Sequence, residues 1–252
     1  MPDMKEVHIE VKDLTMAYDN FIIQQHLNFS IHKGDIFIVM GGNGCGKSTL
    51  LRHLLALKKP AGGEIYYQGA NLWQISDIQR KKIMRSNGVM YQSGALWSSL
   101  TLEENIALPL KEYTDLSADE IKGLAYLKLA LVGLVGFEEY YPAEISGGMK
   151  KRAGLARALA LDPDILFFDE PSAGLDPESA KLLDDLILSI QESLGTTIVV
   201  VTHDLPSLFA IGTDSIFLDP ISKTMIAQGA PKKLLTDCPN PIVQRFLSRG
   251  IK

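Results

Sequence analysis

At 252 residues, 46% of them hydrophobic, the chain has enough apolar material for one large α/β domain, with or without an insertion. A formal net charge of −5 argues against a non-specific nucleic-acid binder, so no nucleic-acid partner is expected. The two cysteines, Cys45 and Cys238, lie far apart without metal-ligand spacing, which excludes a disulfide framework and points to a reducing compartment.

In chain order, Met1 to Val11 carries charges and lacks the apolar run of a secretory signal. Val7, Ile9 and Val11 alternate and predict a strand, with Tyr18 in a polar connection after it, and Phe21 to Ile31 predicts two extended pieces ending at the turn Lys33-Gly34. Ile36 to Met40 is a short apolar run that predicts a buried parallel strand. Leu50, Leu51, Leu54, Leu55 and Leu57 recur at helical spacing, so a helix opens near Lys47. Between that strand and helix lies Gly41-Gly42-Asn43-Gly44-Cys45-Gly46-Lys47-Ser48-Thr49, which fits G-x-x-x-x-G-K-[ST]. Strand, glycine loop and helix in this order make a phosphate-binding loop whose backbone N–H groups and helix N-terminus receive phosphate oxygens. Lys47 is placed to reach the β- and γ-phosphates, and the Ser48 hydroxyl to ligate Mg²⁺.

Lys59 to Gly63 reads as a loop and Glu64 to Tyr67 as a strand with a turn at Gly69. A capping box at Ser76-Asp-Ile-Gln79 opens a basic helix to about Arg85, and Val89 to Tyr91 is a short strand with Gln92 at its end. Thr101 to Glu104 and Ser117 to Glu120 are further capping boxes, and no strand candidate survives from Ser93 to Leu161. Residues 93–161 are therefore expected to be a helical insertion between 1–92 and 162–252, its last helix running from Gly147 through Leu155 and Leu159. Within it Leu124 to Phe137 is the most membrane-like stretch, too short to span and carrying Lys128, so a soluble cytoplasmic protein is expected. Ile165 to Phe168 is an apolar strand ending in Asp169-Glu170, and Asp176-Pro-Glu178 starts a helix burying Leu182, Leu183, Leu186, Ile187 and Ile190. Thr197 to Val201 is a buried strand ending in Thr202-His203-Asp204, followed by a strand pair, Asp214–Leu218 and Lys223–Ala227, and helices around Lys232–Leu235 and Pro241–Leu247. The basic runs Arg80–Lys82, Lys150–Arg152 and Lys232–Lys233 read as solvated helix faces.

Ligands of an open parallel sheet sit beyond the carboxyl ends of its strands, so Gln92, Asp169, Glu170 and His203 can converge on the phosphate loop. Asp169 suits the loop's Mg²⁺, Glu170 can act as general base towards a water, and His203 can hydrogen-bond a γ-phosphate. Taken singly, Gln92 and His203 read as structural residues; beside a phosphate loop they read as site residues. No arginine is poised to stabilise transferring phosphate, but Ser146 with the amides of Gly147 and Gly148 offers a second anion-binding helix start.

With these motifs in order, the chain resembles an ABC-transporter ATPase subunit over nearly its whole length. Tyr18 fits the aromatic that stacks on adenine, Gly41 to Thr49 the Walker A loop, Gln92 the Q-loop, and Ile145 to Met149 the signature. Phe167 to Glu170 fits Walker B with its catalytic glutamate, Ser172 to Asp176 the D-loop, and His203 the switch histidine. The resemblance implies a RecA-like P-loop NTPase core with an antiparallel β subdomain and an inserted α-helical subdomain. It implies ATP and Mg²⁺ as cofactors, with Ser48, Gln92 and Asp169 as metal ligands and Glu170, His203 and Gln92 as catalytic residues. It also implies a head-to-tail dimer with a second ATPase subunit, in which the signature of one chain completes the site of the other. Met149 and Ile145 depart from the commonest signature without removing its serine or glycines, and Cys45 reads as a small neutral filler.

Tyr91 to Thr101 and Ser146 to Arg157, with Met149, are similar to the Mla-type ATPases linked to mammalian-cell-entry proteins. That branch implies phospholipid transport through separate transmembrane permease subunits, a mammalian-cell-entry lipid-binding partner, and a peripheral location on the cytoplasmic face of the inner membrane. Leu96, Trp97 and Leu100 would form an apolar lip for the permease. The chain stops soon after Phe246-Leu247, so a long C-terminal reach across a dimer is not expected. The alternatives are a membrane-associated regulatory ABC ATPase that moves no solute, and a subunit serving another substrate.

Overall fold

The structure is a computed structural model and describes residues 6–251; the first residues of the stretch read for a signal, 1–5, lie outside the described residues. The chain begins with β1 (Val7–Tyr18), β2 (Phe21–His32), β3 (Ile36–Gly41), α1 (Lys47–Leu54), β4 (Gly62–Tyr67) and β5 (Ala70–Asn71). Next come α2 (Asp77–Arg85) and β6 (Asn87–Met90), and then only helices: α3 (Leu102–Tyr113), α4 (Ala118–Leu131), a 3-10 turn at Pro142–Glu144 and α5 (Gly147–Ala158). The chain then returns to β7 (Ile165–Asp169), α6 (Pro177–Leu194), β8 (Thr197–Val201), α7 (Leu205–Ile211), β9 (Asp214–Asp219) and β10 (Thr224–Gln228), and closes with α8 (Pro231–Asp237) and α9 (Pro241–Leu247).

Two sheets result. One is antiparallel, in the order β2-β1-β4-β5; the other has the order β10-β9-β3-β8-β7-β6, with β3 parallel to β8 and β9, and β7 parallel to β6 and β8. Side chains alternate across the larger sheet with period two, as pleating requires. Ile36, Ile38, Met40, Leu166, Phe168, Ile198 and Val200 face the core shared with α3 to α7, while Phe37, Val39, Ile165, Phe167, Val199 and Val201 face α1 and the smaller sheet. Because both faces are covered, β3 and β8 are buried along their whole length, which is why they read as unbroken apolar runs. The glycine loop leaves the end of β3, in the middle of this sheet, and the ends of β8 and then β7 lie in succession on one side of it.

The capping boxes are formed as the spacing predicts: Ser76, Thr101 and Ser117 each accept from the backbone three residues on, and Gln79, Glu104 and Glu120 reach back. Other expectations are corrected. Tyr18 is the last residue of β1, not part of a connection, and Phe21–His32 is one strand. The strand stays continuous through an irregularity at His26, whose φ of 55° falls where the β1–β2 register slips between the Leu14–Leu27 and Met16–Gln24 pairs. Leu57 lies beyond α1 and is exposed, and Leu182 points to solvent while Asp184 takes the inward position. The structure adds α7 and the two-residue β5 to the elements expected from sequence. The basic run at Lys150–Arg152 is not a solvated face, since Lys151 is buried.

Candidate active site

The phosphate loop keeps its shape because two positions accept only glycine. Gly41 has φ of 147°, and a Cβ there would lie 2.4 Å from the Leu218 carbonyl oxygen and 2.7 Å from the Cys45 Sγ. Gly46 has φ of 98°, and its Cβ would meet Ile23 at 2.6 Å. Cys45 is 1% exposed and fills the space under Gly41, and burial pushes its thiol pKa up. Its carbonyl accepts from the Gln24 Nε2 (2.8 Å), which also donates to the Asp219 carbonyl (3.0 Å), so β2 and β9 brace the loop. Lys47 is buried, its ammonium donating to the carbonyls of Gly41 (2.9 Å) and Gly42 (3.2 Å). No side chain caps the start of α1 and its first turn holds no acid, so its free N–H groups face the loop ready for an anion.

The neighbouring strand ends supply oxygen ligands and a base. Ser48 Oγ donates to Asp169 Oδ1 at 3.1 Å. Burial raises the Asp169 pKa, the Ser48 hydrogen bond lowers it and the adjacent Glu170 raises it again, with Arg52 and Lys47 as smaller lowering influences. A carboxylate disfavoured by burial beside a hydroxyl fits a hard divalent cation such as Mg²⁺. Among the described residues no group of three or more His, Cys, Asp or Glu side chains could hold a metal alone, so Ser48 and Asp169 suit an ion that keeps water and phosphate oxygens in its shell. Glu170 follows with φ of 51°, its N–H donating to the Val201 carbonyl (2.8 Å) and its Oε1 2.7 Å from the His203 Nδ1. This contact joins the ends of β7 and β8 and aims a carboxylate at the cleft above the glycine loop.

That cleft has a volume of about 450 Å³ and is lined by Asn43, Gly44, Gly46 to Thr49, Glu170, the β2 residues Phe21 to Ile23, and Lys223. Asp169 meets it through Ser48. Tyr18 does not line it: its hydroxyl accepts from Arg52 (3.2 Å), the Lys58 ammonium lies 3.6 Å from its ring centroid, and the Arg52 bond lowers its pKa. The aromatic on the cleft is Phe21, 65% exposed, with the Lys223 ammonium 4.8 Å from its centroid. Gln92 is exposed and outside the lining, and its carbonyl is held by the Lys151 ammonium. Ser146, Gly147 and Gly148 are also outside; Ser146 caps α5, its Oγ accepting from the Met149 N–H at 3.2 Å. Sequence reasoning missed Phe21, Lys223, Gln24 and Lys151. An aromatic just past the β1–β2 turn was a readable sign of the first; the other three are defined only by contacts distant in sequence.

A second, larger groove of about 910 Å³ lies between α2, β6, α3 and α5, away from the glycine loop. Lys81, Lys82, Arg85 and Arg157 line it together with Tyr113 and Trp97, the latter 61% exposed. Leu96 packs against the core and Leu100 is half-buried, so of the three lip residues Trp97 alone stands clear of the surface.

The model of the ABC transporter family matches residues 24–173. The chain is 38% identical to a probable ribonucleotide transport ATP-binding protein of Mycobacterium tuberculosis, over 96% of this chain and 67% of that protein. It is 36% identical to the intermembrane phospholipid transport system ATP-binding protein MlaF of Escherichia coli, over 95% of this chain and 88% of that one. Among solved structures, a post-hydrolysis dimer of an ATP-binding cassette bound to ADP and Pi superposes with a TM-score of 0.79 at 30% identity, covering 88% of this chain and 98% of that chain. A subunit of the ABC transporter complex cbiONQ from Clostridium perfringens superposes with a TM-score of 0.84 at 26% identity, covering 97% and 96%.

Proposed function

The chain belongs to the ABC transporter family and is an ATP-hydrolysing subunit with a RecA-like P-loop core, and on that premise we propose that it drives phospholipid transport through a separate permease. Two stretches support phospholipid over the ribonucleotide in one relative's name: the Gln92 segment and the signature helix, both similar to Mla-type ATPases. Among the described residues no helix is long and apolar enough to cross a membrane, so the path for a lipid must be supplied by other subunits. The chain would sit on the cytoplasmic face of the membrane with the groove around Trp97 towards the permease, whose docking segment would offer apolar and acidic side chains to the basic wall. A mammalian-cell-entry lipid-binding protein is the expected further partner. Lipid found in the permease of a complex purified from detergent would support this reading; a permease that holds no lipid and takes up ribonucleotide, counted apart from the ATP on the ATPase subunits, would refute it.

The catalytic reading rests on one observation above the rest: Glu170, fixed by His203, shares the cleft with the glycine loop and Lys47. Lys47 would exchange the carbonyls of Gly41 and Gly42 for β- and γ-phosphate oxygens, and the amides of Asn43 to Thr49 would take the rest of the charge. Ser48 and Asp169 would hold Mg²⁺, with Gln92 joining from its loop, and the bound ion would neutralise charge on the leaving phosphate. Glu170 would accept a proton from the attacking water, while His203 keeps its carboxylate aimed and senses the γ-phosphate. Phe21 would receive the adenine ring, in the role the family pattern gives Tyr18. Ser146, Gly147 and Gly148 lie off the cleft of their own chain, so they would act on a second copy in a homodimer. Glu170→Gln should bind ATP and accumulate as closed dimer with turnover at least ~100-fold lower; a wild-type rate would remove Glu170 as the base.

A further inference from the structure

One face of α5 holds the backbone of the Gln92 loop at every turn. Lys151, Gly154 and Arg157 recur at intervals of three and therefore point the same way. The Lys151 ammonium donates to the Gln92 carbonyl. At Gly154 a Cβ would lie 3.0 Å from both the Cα and the carbonyl oxygen of Gly94, so helix and loop are in backbone contact there. Arg157 donates to the carbonyls of Ala95 (2.6 Å) and Gly94 (3.3 Å). The loop and the helix therefore make one body, and Trp97 on the groove belongs to it.

Of these three residues, Lys151 also reaches past this body to the catalytic strand end. Its ammonium also lies 3.4 Å from the carbonyl oxygen of Glu170. Lys151 is 6% exposed and makes no ion pair among the described residues, so main-chain carbonyls carry a buried positive charge. For packing alone an uncharged side chain would cost less. Glu170 is a non-glycine residue in the left-handed region, which needs ties to hold it. Its N–H is tied to β8 through Val201; its C=O accepts from the Ala173 N–H (3.2 Å) in the turn that follows and from Lys151, which ties it to the helical insertion.

We propose that Lys151 is a positioning residue that couples the permease-docking loop to the catalytic carboxylate, by holding the Gln92 and Glu170 carbonyls with one ammonium. A shift of Trp97 and its loop moves α5 and Lys151, and Lys151 turns the Glu170 peptide and with it the side chain that His203 aims. This rests on Glu170 being the base.

The test uses the full chain with its permease in detergent, comparing Lys151→Met, Lys151→Arg and Glu170→Gln. Lys151→Met should lower kcat at least ~10-fold with KM for ATP within ~2-fold, since the ammonium touches no residue of the glycine loop. Lys151→Arg, which keeps charge and donors, should recover most of that loss. In the Glu170→Gln background Lys151→Met should cost little further, because a residue acting through Glu170 is not additive with its loss. An unchanged kcat, a parallel loss of KM, or no rescue by arginine overturns the proposal. If Lys151→Met does not fold, Lys151→Gln is read by the same criteria. A wild-type rate in Glu170→Gln would instead bring down the catalytic assignment itself, whatever the lysine variants do.

Discussion

Replacing Asp184 with asparagine tests how strongly burial sets the chemistry of the helix behind the site. Asp184 lies on α6, 7% exposed, and both its oxygens contact the buried hydroxyl of Ser207 on α7, at 2.7 and 2.6 Å. That hydroxyl has one proton for two acceptors, so it offsets only part of the desolvation. Asp204, which starts α7, and Asp185 add negative charge, Lys181 opposes it, and the Asp184 pKa is pushed up from 3.8 to about 6. A carboxyl whose folded pKa is raised contributes stability that is complete below the unfolded pKa and is lost as pH rises through the folded value. The loss therefore falls between about pH 4 and pH 6, and reaches roughly 3 kcal/mol above it, at 1.36 kcal/mol per pKa unit. Asparagine resembles the protonated acid in shape and does not titrate. The stability of Asp184→Asn relative to wild type should thus rise by about 2 kcal/mol from roughly pH 4.5 to roughly pH 7.5. For a chain of this size that is about 4–8 °C in Tm, readable by thermal melts of both proteins across the range. A Tm difference that stays constant with pH would refute the reasoning, because Asp184 would then titrate as an exposed carboxyl does.

Phe21→Ala should raise KM for ATP about tenfold with kcat nearly kept, whereas Tyr18→Ala should raise it less; the reverse order in a nucleotide-binding titration would return the adenine to Tyr18. Ser146→Ala combined with Gly147→Asp should abolish turnover while isolated monomers still bind ATP, and loss of monomer binding would argue against action on a second chain. In the native protein a maleimide should label Cys238 and leave Cys45 unmodified, since Cys45 is buried with its thiol pKa raised; equal labelling would show that the loop opens.

The parts of the fold that could be read early are those coded by neighbours in the chain. Three capping boxes, the glycine loop and the buried strands each rest on a few adjacent residues, and each forms as spacing predicts. What escaped depends on which way a helix is turned. In α6 hydrophobicity favours Leu182, but the packed face is that of Leu183, Asp184, Ile187 and Ile190, where Ser207 gives a charged residue its partner. In Lys150–Arg152 the run looks uniformly solvated, yet its middle residue points at a loop 59 positions away. Tyr18 fits a family pattern, whereas Phe21 reaches the cleft lining only because β2 runs alongside the glycine loop.

Gln24 carries a consequence for the order in which the protein is made. One amide nitrogen of Gln24 joins the carbonyl of Cys45 to that of Asp219, which lies 195 residues after Gln24 itself. During synthesis the glycine loop leaves the ribosome early, but the brace beneath it waits until β9 has emerged and paired with β3. A nascent chain that stops short of β9 has every residue of the loop and lacks the tie that holds it in shape. Nucleotide affinity should therefore appear late and abruptly as the chain grows.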